Sequence, residues 1–160
     1  MAMNVDYKGV EIGVLPANAS ANFIAGVAVY LNTGTGKLDN PVNTARVLGL
    51  IKETNQSGVL NEVTGQYSIY GSGDGAVLCR GIATVQQSVY NGVSYQVYDQ
   101  TKTYAYGDEI YATPGTGVLT NVLPAGAGPN GITSVRVGRV LKIPANPANG
   151  NPMQITVECA

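Results

Sequence analysis

Residues 26–40 read GVAVYLNTGTGKLDN and residues 107–121 read GDEIYATPGTGVLTN, and the two stretches superimpose without a gap at a spacing of 81. Seven of the fifteen positions are identical: Gly26/Gly107, Tyr30/Tyr111, Gly34/Gly115, Thr35/Thr116, Gly36/Gly117, Leu38/Leu119 and Asn40/Asn121. Further on, ARVLGLIK (45–52) answers VRVGRVLK (135–142), pairing Arg46 with Arg136 and Lys52 with Lys142. GAVLC, closing at Cys79, answers ITVEC, closing at Cys159. A unit of this length cannot hide both faces of its own sheet, so two copies in one chain must pack on or pair with each other.

Each copy reads as a small β-unit. A strand (27–32; 108–113) leads through a turn into a short strand (37–39; 118–120), followed by a loop, a third strand (45–53; 135–143) and a closing strand (75–80; 153–159). The 21 glycines and 8 prolines fall between short runs of Val, Ile, Leu and Tyr, the pattern of many short strands joined by turns. The expected fold is all-β: a small sandwich or barrel built from two tandem modules with approximate internal two-fold symmetry. Residues 1–25 are expected to form an N-terminal arm or edge strand, 26–80 the first module, 81–106 a connecting tyrosine-rich hairpin around Asn91-Gly92, and 107–160 the second module, all within one compact domain. KIPANPANGNP (142–152) interrupts the second module only and reads as an ordered surface loop.

The glycine-rich NTGTGKLDN invites comparison with a phosphate-binding P-loop, which needs GxxxxGK followed by Ser or Thr and then a helix. Here Leu38 follows Lys37, Leu31 stands where the first glycine belongs, and the second copy keeps Gly-Thr-Gly while replacing Lys37 by Val118. Gly34, Gly36, Gly115 and Gly117 are therefore assigned to a tight reversal between two strands. GSGDGAV (71–77) offers one carboxylate, too few for calcium, and is assigned to a turn before the closing strand.

The rest of the composition removes function classes. There is no histidine, so Ser-His-Asp and Cys-His catalysis and the commonest general base are excluded. Asp108 and Glu109 are neighbours on a strand and point to opposite faces, which does not suit an acid–base pair. Cys79 and Cys159 lack metal-ligand or redox spacing and are expected as partly buried thiols, with a disulfide as the alternative. Charged residues make up 12% of the chain and the net charge is −1, which leaves no basic field for nucleic acid. No run reaches membrane-spanning length, and MAMNVDYKG has no positive region leading into an apolar stretch, so neither a membrane helix nor a cleaved export signal is expected. No catalytic residue, cofactor or metal is assigned.

The module GxxVYLxxGTGKL followed by RVLGLIK resembles sequences of small structural proteins of tailed-bacteriophage heads, in which a Gly-x-x-Val-Tyr strand, a Gly-rich turn and a Val-Gly-x-Val or Val-Leu-Gly-Leu strand recur in capsid decoration (cement) proteins. The resemblance covers about two thirds of the chain through its two copies, whereas a single unit is the family's pattern. It implies a non-enzymatic, β-rich virion protein that binds the major capsid protein on the outside of an assembled head and stabilises it, often as a trimer, after assembly in the bacterial cytoplasm. Tyr7, Phe23, Tyr95, Tyr98, Tyr104 and Tyr106, in the arm and the hairpin, are the expected interface anchors. The same tyrosines would serve the alternative, a receptor- or glycan-binding module of a fibre or cell surface.

Overall fold

The structure, a computed structural model, describes residues 3–5, 9–18, 22–52, 55–56, 75–90, 92–126 and 134–159. In chain order its strands are β1 (Met3–Val5), β2 (Val10–Leu15), β3 (Asn22–Phe23), β4 (Ala28–Asn32), β5 (Lys37–Asp39), β6 (Gly49–Ile51), β7 (Asn55–Gln56), β8 (Gly75–Val85), β9 (Ser88–Tyr90), β10 (Val93–Tyr95), β11 (Glu109–Ala112), β12 (Leu119–Thr120), β13 (Arg136–Lys142) and β14 (Met153–Glu158). The fold is all-β, a curled antiparallel half-barrel accompanied by small two-stranded pairings.

The main sheet runs β12-β11-β13-β14-β8-β6-β4-β5. Outward from its centre, each half carries a closing strand, a third strand, a first strand and a short turn strand, so the repeat in sequence becomes a two-fold order in space. The halves join where β14 pairs antiparallel with β8, from Met153↔Val85 to Glu158↔Arg80. Beyond that ladder the Cys159 N–H donates to the Cys79 carbonyl at 3.0 Å. β1 and β2 also pair with β8, giving this 11-residue strand partners along its length.

Equivalent positions make equivalent bonds. Tyr30↔Asp39 and Leu31↔Leu38 in the first module match Tyr111↔Thr120 and Ala112↔Leu119 in the second. In the turns, Gly36 N–H donates to Asn32 O at 2.7 Å and Gly117 N–H to Thr113 O at 2.8 Å. Both glycines take positive φ, 69° and 74°, a conformation that costs a residue with a Cβ more than it costs glycine.

Several expected boundaries are corrected. The repeat starts earlier than residue 26: Leu38 exchanges backbone bonds with Pro16 and Asn18, and Leu119 does the same with Val97 and Asp99. Residues 16–18 and 22–25 thus match 97–99 and 103–106 as lead-in segments, rather than belonging to a loose arm and to half of a hairpin. The tyrosine-rich hairpin is confined to β9 and β10, joined through Gly92 at φ 74°. The third strand of the first module is only Gly49–Ile51; just before it Val47 donates to Ser134 O, away from β4, and Leu48 to Val29 O of β4. The pairing also moves the match between third strands by one residue. Ala28↔Leu50 and Val29↔Gly49 correspond to Glu109↔Arg139 and Ile110↔Gly138, so Gly49 answers Gly138 and the Arg46/Arg136 match is displaced. Tyr7 and the 71–74 turn lie outside the described residues.

The core draws on both modules. Val29, Leu38, Leu50, Ile51, Val77 and Leu78 from the first meet Ile110, Leu119, Val137, Met153, Ile155 and Val157 from the second in one buried cluster. β14 shows the period of two that places alternate side chains inside: Met153, Ile155 and Val157 are buried, and Gln154, Thr156 and Glu158 are not. Both cysteines are buried free thiols, as the thiol reading expects.

Candidate functional site

The aromatic residues divide sharply. Phe23 and Tyr98 have no exposed surface and Tyr104 is 4% exposed. These three expected anchors belong to the core instead. Phe23 and Tyr104 occupy matching positions in the two lead-in segments, and alternating strand faces could not reveal this because Phe23 ends a two-residue strand and Tyr104 lies in none. The Tyr98 and Tyr104 rings meet edge to face, 5.5 Å between centroids at 85°. Their hydroxyls donate to backbone carbonyls, Tyr98 to Asn151 at 2.6 Å and Tyr104 to Asp99 at 2.8 Å. Burial raises the Tyr98 phenol to about 12. Burial and then the nearby Asp99 carboxylate raise Tyr104 as well. Tyr95 is half-buried against the core, and Tyr106, 71% exposed, stands out at the surface.

Among the described residues the carboxylates of the second module and its lead-in are engaged in structural contacts. Asp108 accepts from the Ala105 N–H and the Asn121 side-chain amide, both at 2.9 Å. Glu109 turns instead to Arg136 and Arg139, and Arg136 also reaches Glu158 at 3.1 Å. Arg136, Ser134, Glu158 and Arg46 line an open depression of about 290 Å³. Asp99 accepts from Thr101 N–H and Oγ1 at 2.9 and 2.6 Å, closing a turn. Among the described residues no three of His, Cys, Asp and Glu lie close enough to hold a metal ion.

The turn glycines have different surroundings in the two copies. At Gly117 a Cβ would run into the Ala28 carbonyl, and Ala28 N–H donates to Gly117 O at 2.9 Å. Gly115, at φ 87°, donates to Pro41 O at 2.8 Å. The second turn thus lies on the first module. In the first copy Gly34 avoids positive φ and donates to its own Asn32 Oδ1 at 3.0 Å, and a Cβ at Gly36 would meet nothing within 4 Å. That turn faces solvent along residues 33–36.

The exposed apolar residues that sequence reasoning missed include Val122 and Leu123, at 51% and 38%, and Leu141 and Ile143. The repeat carried no signal of this: Val122 and Leu123 fall at the positions of Pro41 and Val42 in the first copy, and Pro41 is buried.

No protein-family model matches the chain, and no curated protein shows significant sequence similarity to it.

Proposed function

We propose that this protein is a non-enzymatic structural component of a tailed-bacteriophage head that binds the outer surface of the assembled capsid and stabilises it. The observation that carries the reading is the doubled module, Gly-x-x-Val-Tyr in the first copy and Gly-x-x-Ile-Tyr in the second, each followed by Gly-Thr-Gly, the part that resembles capsid decoration proteins. A protein that binds the assembled shell better than free subunits stabilises the shell by mass action and needs only a complementary surface repeated around the lattice. The major capsid protein is its proposed partner, a homo-oligomer, with a trimer favoured, its proposed form, and the capsid exterior its proposed location after assembly in the bacterial cytoplasm.

Docking falls to residues that remain exposed. Among the expected anchors that lie in the described residues Tyr106 is the exposed one, and the Leu141 backbone runs beside it, because Gly107 N–H donates to Val140 O. Tyr106→Ala should weaken head binding about tenfold, the loss expected for a central aromatic anchor. Quantitative mass spectrometry of purified virus particles is the primary test. A copy number in fixed proportion to the major capsid protein supports the proposal, a handful of copies moves the chain to a tail or fibre, and absence rejects it. The receptor or glycan alternative is less well supported, since Tyr98 and Tyr104 are occupied in the core.

A further inference from the structure

The Pro114–Gly117 turn of the second module rests on the first, where Asp39, Asn40, Pro41, Val42 and Asn43 form a depression whose wall includes Pro114 and Gly115. The repeat places Thr120, Val122, Leu123 and Pro124 at the counterparts of Asp39, Pro41, Val42 and Asn43. These four residues also line a depression, of about 570 Å³. Among the described residues no turn from the first module takes part in its lining; of that module's described residues only Asn43 does. Its apolar floor is open, with Val122 and Leu123 partly exposed, whereas Pro41 is buried. The element that would match it, the Thr33–Gly36 turn, points into solvent. The two turns share strand register and the closing bond, Gly36 N–H to Asn32 O and Gly117 N–H to Thr113 O, and differ at the second glycine, where Gly115 N–H reaches Pro41 O while Gly34 N–H is held by Asn32 Oδ1.

We propose that the Thr33–Gly36 turn of one copy seats over Thr120–Pro124 of a second copy, repeating between chains the contact that Pro114–Gly117 makes within a chain. The occupant is a second copy because the chain itself carries the equivalent turn, exposed along residues 33–36. The contact is heterologous, a turn on one protomer against a depression on the next, and closes into a ring when the rotation permits. It deepens the homo-oligomer part of the reading above and is independent of the capsid.

Sedimentation velocity of the purified chain at rising concentration, with Leu123→Asp as comparison, tests it. The wild type should self-associate, and Leu123→Asp should weaken association at least tenfold while circular dichroism and the melting temperature stay unchanged. Mixed Thr35→Cys and Val122→Cys chains should form a disulfide-linked dimer under mild oxidation, and neither variant alone should do so. This second readout does not depend on how well Leu123→Asp folds. A chain that stays monomeric at up to about 0.5 mM, a concentration at which any association with a Kd below about 0.1 mM would be populated, overturns the proposal. So does an oligomer that forms no mixed cross-link. A monomer found at lattice copy number on virions would overturn this contact and leave the capsid reading standing.

Discussion

Gly49 and Gly138 occupy the same place in the two third strands, and each has a carbonyl directly over its Cα. A Cβ would run into the oxygen of Leu78 at the first and of Thr156 at the second. Gly49→Ala and Gly138→Ala should each lower stability by about 3 kcal/mol in urea unfolding, since backbone must move to admit a methyl group. Gly36→Ala should cost about 1 kcal/mol, because only its positive φ opposes the change. The tyrosines and cysteines set the alkaline limit. Burial raises Tyr98 and Cys159 to about 12 from ordinary values of 10.0 and 9.0, and raises Cys79 and Tyr104. The folded state thus holds protons that the unfolded chain releases, so this stability is fully present below pH 9 and is lost as pH rises toward 12. Melting temperatures followed from pH 8 to pH 11 should fall progressively above about pH 9. Tyr98→Phe should cost about 1 kcal/mol at neutral pH, because the Asn151 carbonyl loses its donor.

Between elements, the outer face of β11, β13 and β14 is tied by Arg136, Arg139, Glu109 and Glu158. Burial acts to raise the Glu158 carboxyl, but hydrogen bonds from Thr156 and Arg136 together with the guanidinium charge leave it lowered. Its contribution is present above the ordinary value of 4.5 and disappears as pH falls through the lowered folded value. Arg136→Ala should cost about 1 kcal/mol or less at neutral pH, in the range of partly exposed pairs. The urea midpoint of that variant should also change less between pH 7 and pH 3 than the wild type's, and an equal change would show that the network does not contribute. The strands themselves were legible. Turn glycines and repeated apolar runs predict β4, β5, β11, β12, β13 and β14 to within one or two residues at each end. The lead-in segments were not, because PANASANF and VYDQTKTY share little sequence; they correspond through backbone bonds to Leu38 and Leu119 and through one buried ring each.

At the scale of the molecule, the two modules share one core and meet at the β8–β14 ladder. Thermal unfolding should therefore be a single transition with calorimetric and van't Hoff enthalpies in agreement. A chain cut after Val85 should yield halves that do not fold separately, because each closing strand would expose its central edge. Two resolved transitions, or a folded half by circular dichroism, would refute this. The loop at 143–152 depends on the same assembly. Its 3-10 turn, Pro147–Asn149, is capped by Asn146, and it is fastened to the lead-in and to the end of β8 through Tyr98 and Gln87.

The sequence by itself determined the fold class, the duplication and most strand positions, because periodicity, turn glycines and a repeated pattern are local and survive without knowledge of the partner strand. Tertiary structure alone decided which side of the duplication is covered. Tyr98 and Tyr104 look like surface anchors until a lead-in segment with no strand periodicity carries them into the core. The two Gly-Thr-Gly turns read alike until one lies on Pro41 and the other faces water. Exposure belongs to what surrounds a residue, and one copy of a motif does not specify what surrounds the other.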